Sequence, residues 1–290
     1  MQAVFSLNAI TDVLSSEHAQ QLLNYILKTV NIRSQKNDDF IGQLCISEDE
    51  IDLIRHKILN IHKQNPLSWA QLFCETMDEI AKSTGKSRWA DKTPQNFFHL
   101  DLLFKTFPES QFIFLFRDPR MILSSYKFAS GEGHDKRRYH PVIYSFYWRT
   151  AVRSYLKVSN RKQVLMLRYE DIIGNPNATL IALENFLGTT ISTINLAELG
   201  NNSSFSGKTR KAISESEKWL CEKICKYEML HLGYKPSQST FKKSDILELT
   251  LLSGKFLLFQ TKRFLLNQDA RQRILSFIYR IHSIQPKLDK

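Results

Sequence analysis

At 290 residues, 42% of them apolar, the chain is long enough to bury one α/β core with a small appendage and too apolar to be disordered. Lysine and arginine outnumber aspartate and glutamate by 40 to 29, a formal charge of +11, which fits an anionic ligand, nucleic acid or an anionic membrane face. No alternating base-and-aromatic platform is present, so nucleic acid is not expected as a partner. Cys45, Cys74, Cys221 and Cys225 form no Cys-x-x-Cys pair and lack the other ligands of a zinc site. Cys221 and Cys225 sit four apart on a helical pattern and read as buried neighbours. Met1 to Ile10 has neither a basic start nor a long apolar core, so no signal peptide is read there. Ile246 to Leu266 is interrupted by Glu248, Lys255, Lys262 and Arg263, short of the about twenty clean apolar residues of a membrane span. The expectation is a cytoplasmic protein, and the sequons at Asn177 and Asn202 read as chance.

In chain order, Leu22, Leu23, Ile26, Leu27 and Val30 predict a helix from about Ser16 to Val30. Ser47 with Glu50 and Ser68 with Gln71 are capping boxes ahead of two further helical patterns, Ile51, Ile54, Ile58, Ile61 and Leu72, Phe73, Met77, Ile80. Ser83-Thr84-Gly85-Lys86-Ser87 is similar to the tail of a phosphate loop, but Ile80 stands where that loop needs its first glycine, so Gly85 reads as a helix stop. Arg88-Trp89-Ala90 reads as a short strand, then Asp91-Lys92-Thr93-Pro94 as a loop and Asn96 to Phe107 as a helix. His99 on that helix reads as a packed or polar-face histidine rather than a general base.

The chain is organised around Gln111 to Ser125. Phe112-Ile113-Phe114-Leu115-Phe116 is an unbroken apolar run, as in a strand covered on both faces. Asp118 and Pro119 then suit the N-cap and first position of a helix. A strand feeding a helix directly presents unpaired amides and a positive helix end at the sheet's carboxyl edge. Arg117 stands on that edge and Ser125 about two turns into the helix, a guanidinium fork and a hydroxyl that can hold a phosphate. An ion-paired arginine and an ordinary cap remain the alternative. Ser130 to Arg138 is a glycine-hinged basic loop, a lid or a solvated connection. Pro141 opens a helix to about Ser159 with Ile143, Phe146, Tyr147, Ala151, Tyr155 and Val158 inward. Val164 to Leu167 is a second buried strand, Asn175-Pro176 starts a helix ending at Gly188, and Ser214 with Glu217 caps another that stops at Gly233. Leu249, Leu252, Phe256, Phe259 and Leu266 mark a helical stripe, and about Asn267 to Ser283 a last helix; the pair can pack on the core, form a homodimer or contact a membrane peripherally.

The run Arg117-Asp118-Pro119-Arg120 with Ser125 resembles the 3′-phosphate-binding motif of the sulfotransferases that use 3′-phosphoadenosine 5′-phosphosulfate (PAPS). The match is ordered. Trp89 to Pro94 and Phe107 to Ser110 precede it in the manner of the bacterial and tyrosylprotein branch. Val164 to Asp171, Asn175-Pro176, Phe186-Leu187-Gly188, Asn202 to Phe205 and Leu232 to Pro236 follow it. The resemblance implies an α/β, P-loop-like parallel sheet flanked by helices, with a sulfotransferase-like domain over residues 1–238 and a helical C-terminal extension over 239–290. By the same resemblance Arg117 and Ser125 would bind the 3′-phosphate and Tyr169 the adenine. Lys92 would steady the transferred group, and Ser204, Arg210 and Lys211 would complete the cofactor contacts, with no metal. For Lys92 a plain surface lysine, and for Tyr169 a core tyrosine with a bonded hydroxyl, are the alternatives. Ala212 after Lys211 departs from the Arg-Lys-Gly triplet of the cytosolic branch.

The family's opening strand and its phosphosulfate loop have no counterpart here, and Phe5 to Asn8 is similar to the region just after them. The expectation is a late-assigned start or a truncated copy with weak PAPS binding and poor turnover. The alternatives are a nucleotide kinase of P-loop type and a non-catalytic binding protein on a relic domain. The acceptor, small molecule, glycan or protein, is not legible.

Overall fold

A computed structural model describes residues 12–35, 46–129, 135–191 and 212–268, together with 270, 271, 274, 275 and 278. The chain divides into two compact units, Met1–Pro108 and Glu109–Lys290.

The first unit is helical among the described residues. It contains α1 (Ser16–Gln35), α2 (Glu48–Gln64), α3 (Trp69–Ser83), a 3-10 turn at Asn96–His99 and the short α4 (Leu100–Thr106). Both expected capping boxes form: Ser47 with Glu50 opens α2, and Ser68 with Gln71 opens α3, each side chain bonding the other's backbone amide. Such a cap contributes about 1 kcal/mol. The apolar stripes of the three helices meet in one core around Leu23, Leu27, Ile58 and Leu72. Trp69 stacks on Phe73 at 5.3 Å. Gly85, at φ +66°, ends α3: its amide bonds the Lys82 carbonyl and the Lys86 amide bonds that of Ala81. That paired pattern needs a left-handed residue and marks a helix stop rather than a phosphate loop. Arg88-Trp89-Ala90 is not the expected strand. Trp89 instead turns onto α3, edge-on to Phe73 at 5.5 Å with its indole N–H donating to Asp78, and a segment anchored by its side chain has no sheet to join. The helix expected from Asn96 begins as the 3-10 turn, because no side chain caps it.

The second unit is α/β. β1 (Phe112–Phe116) and β2 (Val164–Arg168) pair in parallel, Phe112 opposite Val164 through Phe116 opposite Arg168. Parallel neighbours need a crossover connection. α5 (Pro119–Phe128) and α6 (Pro141–Leu156) supply it. α7 (Tyr169–Gly174), α8 (Pro176–Leu187), α9 (Glu215–His231) and α10 (Ile246–Leu266) follow. The core gathers Phe116, Leu123, Trp148, Val152, Cys221, Cys225 and Met229.

Three expectations change here. β2, expected as a buried strand, is half-buried along its whole length. β1 is not covered on both faces: Phe114 and Phe116 point to Tyr155 and Trp148, while Ile113 and Leu115 are 44% and 57% exposed. α6 ends at Leu156; of the residues expected inward, Ala151 and Tyr155 pack on the core and Val158 is buried, but Ser145, Trp148 and Val152, not among them, lie on the more fully buried face of the helix. The reason is the partner. α9 lays Cys221, Cys225 and Met229 along that face, and only small or flat side chains fit between the two helices.

Candidate functional site

The parallel register builds the rim of the sheet. Phe116 opposes Arg168, so the residues after them, Arg117 and Tyr169, leave the two strands side by side. The Arg117 guanidinium lies 4.4 Å from the centroid of the Tyr169 ring. A guanidinium on an aromatic face is held flat and keeps its edge donors free. Among the described residues no carboxylate pairs with it. Its own backbone is fixed: the Trp148 indole N–H donates to the Arg117 carbonyl at 3.0 Å.

Asp118 caps α5 by accepting the Arg120 amide at 2.9 Å, and Pro119 takes the first helical position as the sequence predicts. The Asp118 amide in turn donates to Glu170 Oε1 at 3.0 Å. The other oxygen, Glu170 Oε2, accepts the Tyr234 hydroxyl at 2.8 Å. One carboxylate therefore ties the β1–α5 turn, the β2–α7 turn and the segment after α9 together. Burial first, and the hydrogen bond to Glu170 second, push the Tyr234 phenol far above its ordinary value, so it stays a donor. Tyr234 follows Gly233, whose φ of +78° closes α9 and whose missing side chain admits the Arg168 guanidinium.

The neighbouring cations are consumed. Arg120 pairs with Asp118 at 2.6 Å and Glu222 at 2.8 Å, and these bonds, Asp118's above all, raise its pKa. Arg168 pairs with Asp171. Of the three arginines on the two strand ends and the first turn of α5, Arg117 alone is without a carboxylate partner among the described residues.

Ser125 is the seventh residue of α5, half-buried, and its hydroxyl has no hydrogen-bond partner among the described residues. Lys92 belongs to the first unit, exposed, in a loop shaped by Asp91, which accepts from Thr93 at 3.0 Å and Asn96 at 2.8 Å. Ser204, Arg210 and Lys211 lie outside the described residues. The structure thus joins Arg117 and Tyr169 directly and sets Ser125 on the helix that Arg117 precedes. Sequence reasoning assigned no role to Trp148, Glu170 or Tyr234, although the last two lie within its own motif blocks. No group of three or more His, Cys, Asp or Glu among the described residues is placed to hold a metal.

No curated protein matches the chain. Among solved structures, a sulfotransferase domain from the curacin biosynthetic pathway is similar at 17% identity, over 80% of this chain and 88% of that one, with a TM-score of 0.45. The model of the sulfotransferase family matches residues 20–193, more than half of the sequence and all of the rim from β1 through α7. The chain belongs to the sulfotransferase family.

Proposed function

We propose that the protein transfers a sulfuryl group from PAPS to a hydroxyl or amine acceptor, with Arg117 and Ser125 holding the 3′-phosphate. The observation that carries this reading is the state of Arg117: a guanidinium laid on Tyr169 at the carboxyl edge of a parallel sheet, with no carboxylate partner among the described residues. The residues present fit such a cofactor. A phosphate needs donors without competing acceptors, and the Arg117 fork just before α5 and the Ser125 hydroxyl about two turns into it are two. When bound, PAPS supplies the activated sulfuryl group. What the chain contributes is positioning and charge stabilisation. Arg117 and Ser125 fix the nucleotide, Tyr169 orients the fork and flanks the adenine, and Lys92 offsets charge on the transferred group. Ser204, Arg210 and Lys211 are the proposed remaining contacts, and no metal takes part.

The test is thermal stabilisation by 3′,5′-ADP, the desulfated product. Stabilisation without magnesium, lost in Arg117→Ala, is expected. Stabilisation only by ATP with magnesium would overturn the reading in favour of a nucleotide kinase.

A further inference from the structure

α10 carries leucines on the side turned away from its core. The inward side is occupied: Leu252 packs on the second unit's core, the His140 ring lies 5.1 Å from Phe256 and bonds Ser253 at 3.1 Å, and Lys127 pairs with Glu248 at 2.9 Å. At 100° per residue, Leu247, Leu251, Leu258 and Leu265 fall on the opposite side as one stripe. They are 69%, 54%, 76% and 71% exposed. Leu266, read with Leu252 and Phe256 in one stripe, is exposed as well. A run of large aliphatic side chains over this length marks an interaction surface rather than scattered exposure.

Charge identifies the occupant. Lys255 and Lys262 are exposed along one flank of the stripe. Phe259 lies on the same flank, and the Arg137 guanidinium sits 4.7 Å from its ring, which brings the 3-10 turn Lys136–Arg138 alongside with Lys136 and Arg138 exposed. Lys242 and Lys243 are exposed just before the helix. Glu248 is the one acid within α10, and Lys127 holds it; Asp135, at the start of the turn, is held by Arg137, so Lys136 and Arg138 carry that turn's net charge. Two copies paired antiparallel about the middle of the stripe would set Lys255 beside its own counterpart and Lys262 near the other copy's Glu248, which Lys127 already holds. A parallel pairing would turn Lys255 toward Leu257. Neither offers Lys255 an acid. An acidic lipid surface offers an apolar layer for the leucines and anionic headgroups for the lysines, whose stems lie along apolar surface while the ammonium stays in the polar layer.

We propose that the outer face of α10, with the basic flank formed by Lys255, Lys262 and the Lys136–Arg138 turn, docks on an anionic lipid surface. The helix lies along that surface: none of the described helices is long and apolar enough to cross a membrane. The inference is independent of the sulfuryl-transfer reading.

The test is co-sedimentation of the full chain with phosphatidylcholine vesicles containing about one part in four phosphatidylserine, and with phosphatidylcholine alone. Binding to the mixed vesicles only, weakened by high salt, is expected. Lys255→Gln with Lys262→Gln should weaken it about thirtyfold, from the loss of two surface charges. Leu258→Ser should weaken it about tenfold. All three positions are exposed, so melting temperatures should not move, and unchanged binding in these variants would refute the assignment. Equal binding to neutral vesicles, or none to either, overturns it. So does a concentration-dependent dimer without lipid that Leu258→Glu disperses.

Discussion

Arg117 and Arg120 stand three residues apart and do opposite things. Arg120 is enclosed by Asp118 and Glu222. Glu222 also accepts from Ser237 and Ser239, so its oxygens are filled. The same holds along α9: Glu217 takes Lys127 and the Tyr139 hydroxyl, and Glu228 takes Arg153. These are three buried carboxylates, each matched to a cation from α5 or α6. At the rim the pattern reverses, with a guanidinium and a hydroxyl left unmatched among the described residues. Composition does not separate the two regions; partners do. Matched charges fix how α5 and α6 sit on α9, and unmatched ones are available to an anion.

The comparison breaks most visibly on the matched side. Glu222→Ala leaves Arg120 half-paired and two serine hydroxyls without their acceptor, and removal of one partner from a buried pair costs about 3 kcal/mol. Chemical denaturation of the variant should show that loss. If it is as stable as the parent, the seam is ornamental. The pH dependence carries a sign. Burial works against the Glu222 charge, but the bonds from Ser237, Ser239 and Arg120 outweigh it and hold the carboxyl below its ordinary 4.5. A depressed carboxylate stabilises the fold fully above its unfolded value, and that contribution is lost as pH falls through the folded one. The parent should therefore lose stability below about pH 4.5, and Glu222→Gln should lose less over the same interval.

On the unmatched side, Arg117→Ala should cost about 2 kcal/mol of binding, roughly thirtyfold in the Kd for 3′,5′-ADP, the worth of a charge-assisted hydrogen bond. Its melting temperature without ligand should stay near that of the parent, because no partner is orphaned. Isothermal titration and a melt on the same sample check both. A large loss of unliganded stability would place Arg117 with Arg120 as a structural residue.

How much of this the sequence carries depends on distance along the chain. The β1–α5 turn, the capping boxes at Ser47, Ser68 and Ser214, and the stops at Gly85, Gly188 and Gly233 are legible because each is a relation within about four residues. The buried face of α6 is not. Ser145 and Thr150 bond back to the carbonyls of Pro141 and Phe146, which lets hydroxyls enter a core that apolar periodicity reserves for larger residues. On α9 the sequence shows Glu217 only as a capping partner and gives no signal for Glu222 or Glu228, because the cations that match these buried glutamates lie some 75 to 102 residues away. At the rim, Arg117 is legible through its motif. Its contact with Tyr169 follows from a strand register that only the folded sheet defines. Glu170 and Tyr234 lie within the Val164–Asp171 and Leu232–Pro236 motifs, but their joint bond spans 64 residues and has no local signal.

The finest division between the two regions lies within α5 itself, at Ser124 and Ser125. Ser124 is buried and already partnered, while Ser125, one residue on, is half-buried with a hydroxyl unpaired among the described residues. Removing a neutral hydroxyl that bonds an anion costs about 1 kcal/mol, about fivefold in Kd. Ser125→Ala should therefore weaken 3′,5′-ADP about fivefold and leave the unliganded melt unchanged or slightly raised, since alanine is the better helix former. Thr at 125 should restore the affinity, because it returns the hydroxyl. A fivefold loss in Ser125→Ala that threonine does not recover would mean that the side chain fills space rather than donates, and the phosphate would then rest on Arg117 and the amino end of α5.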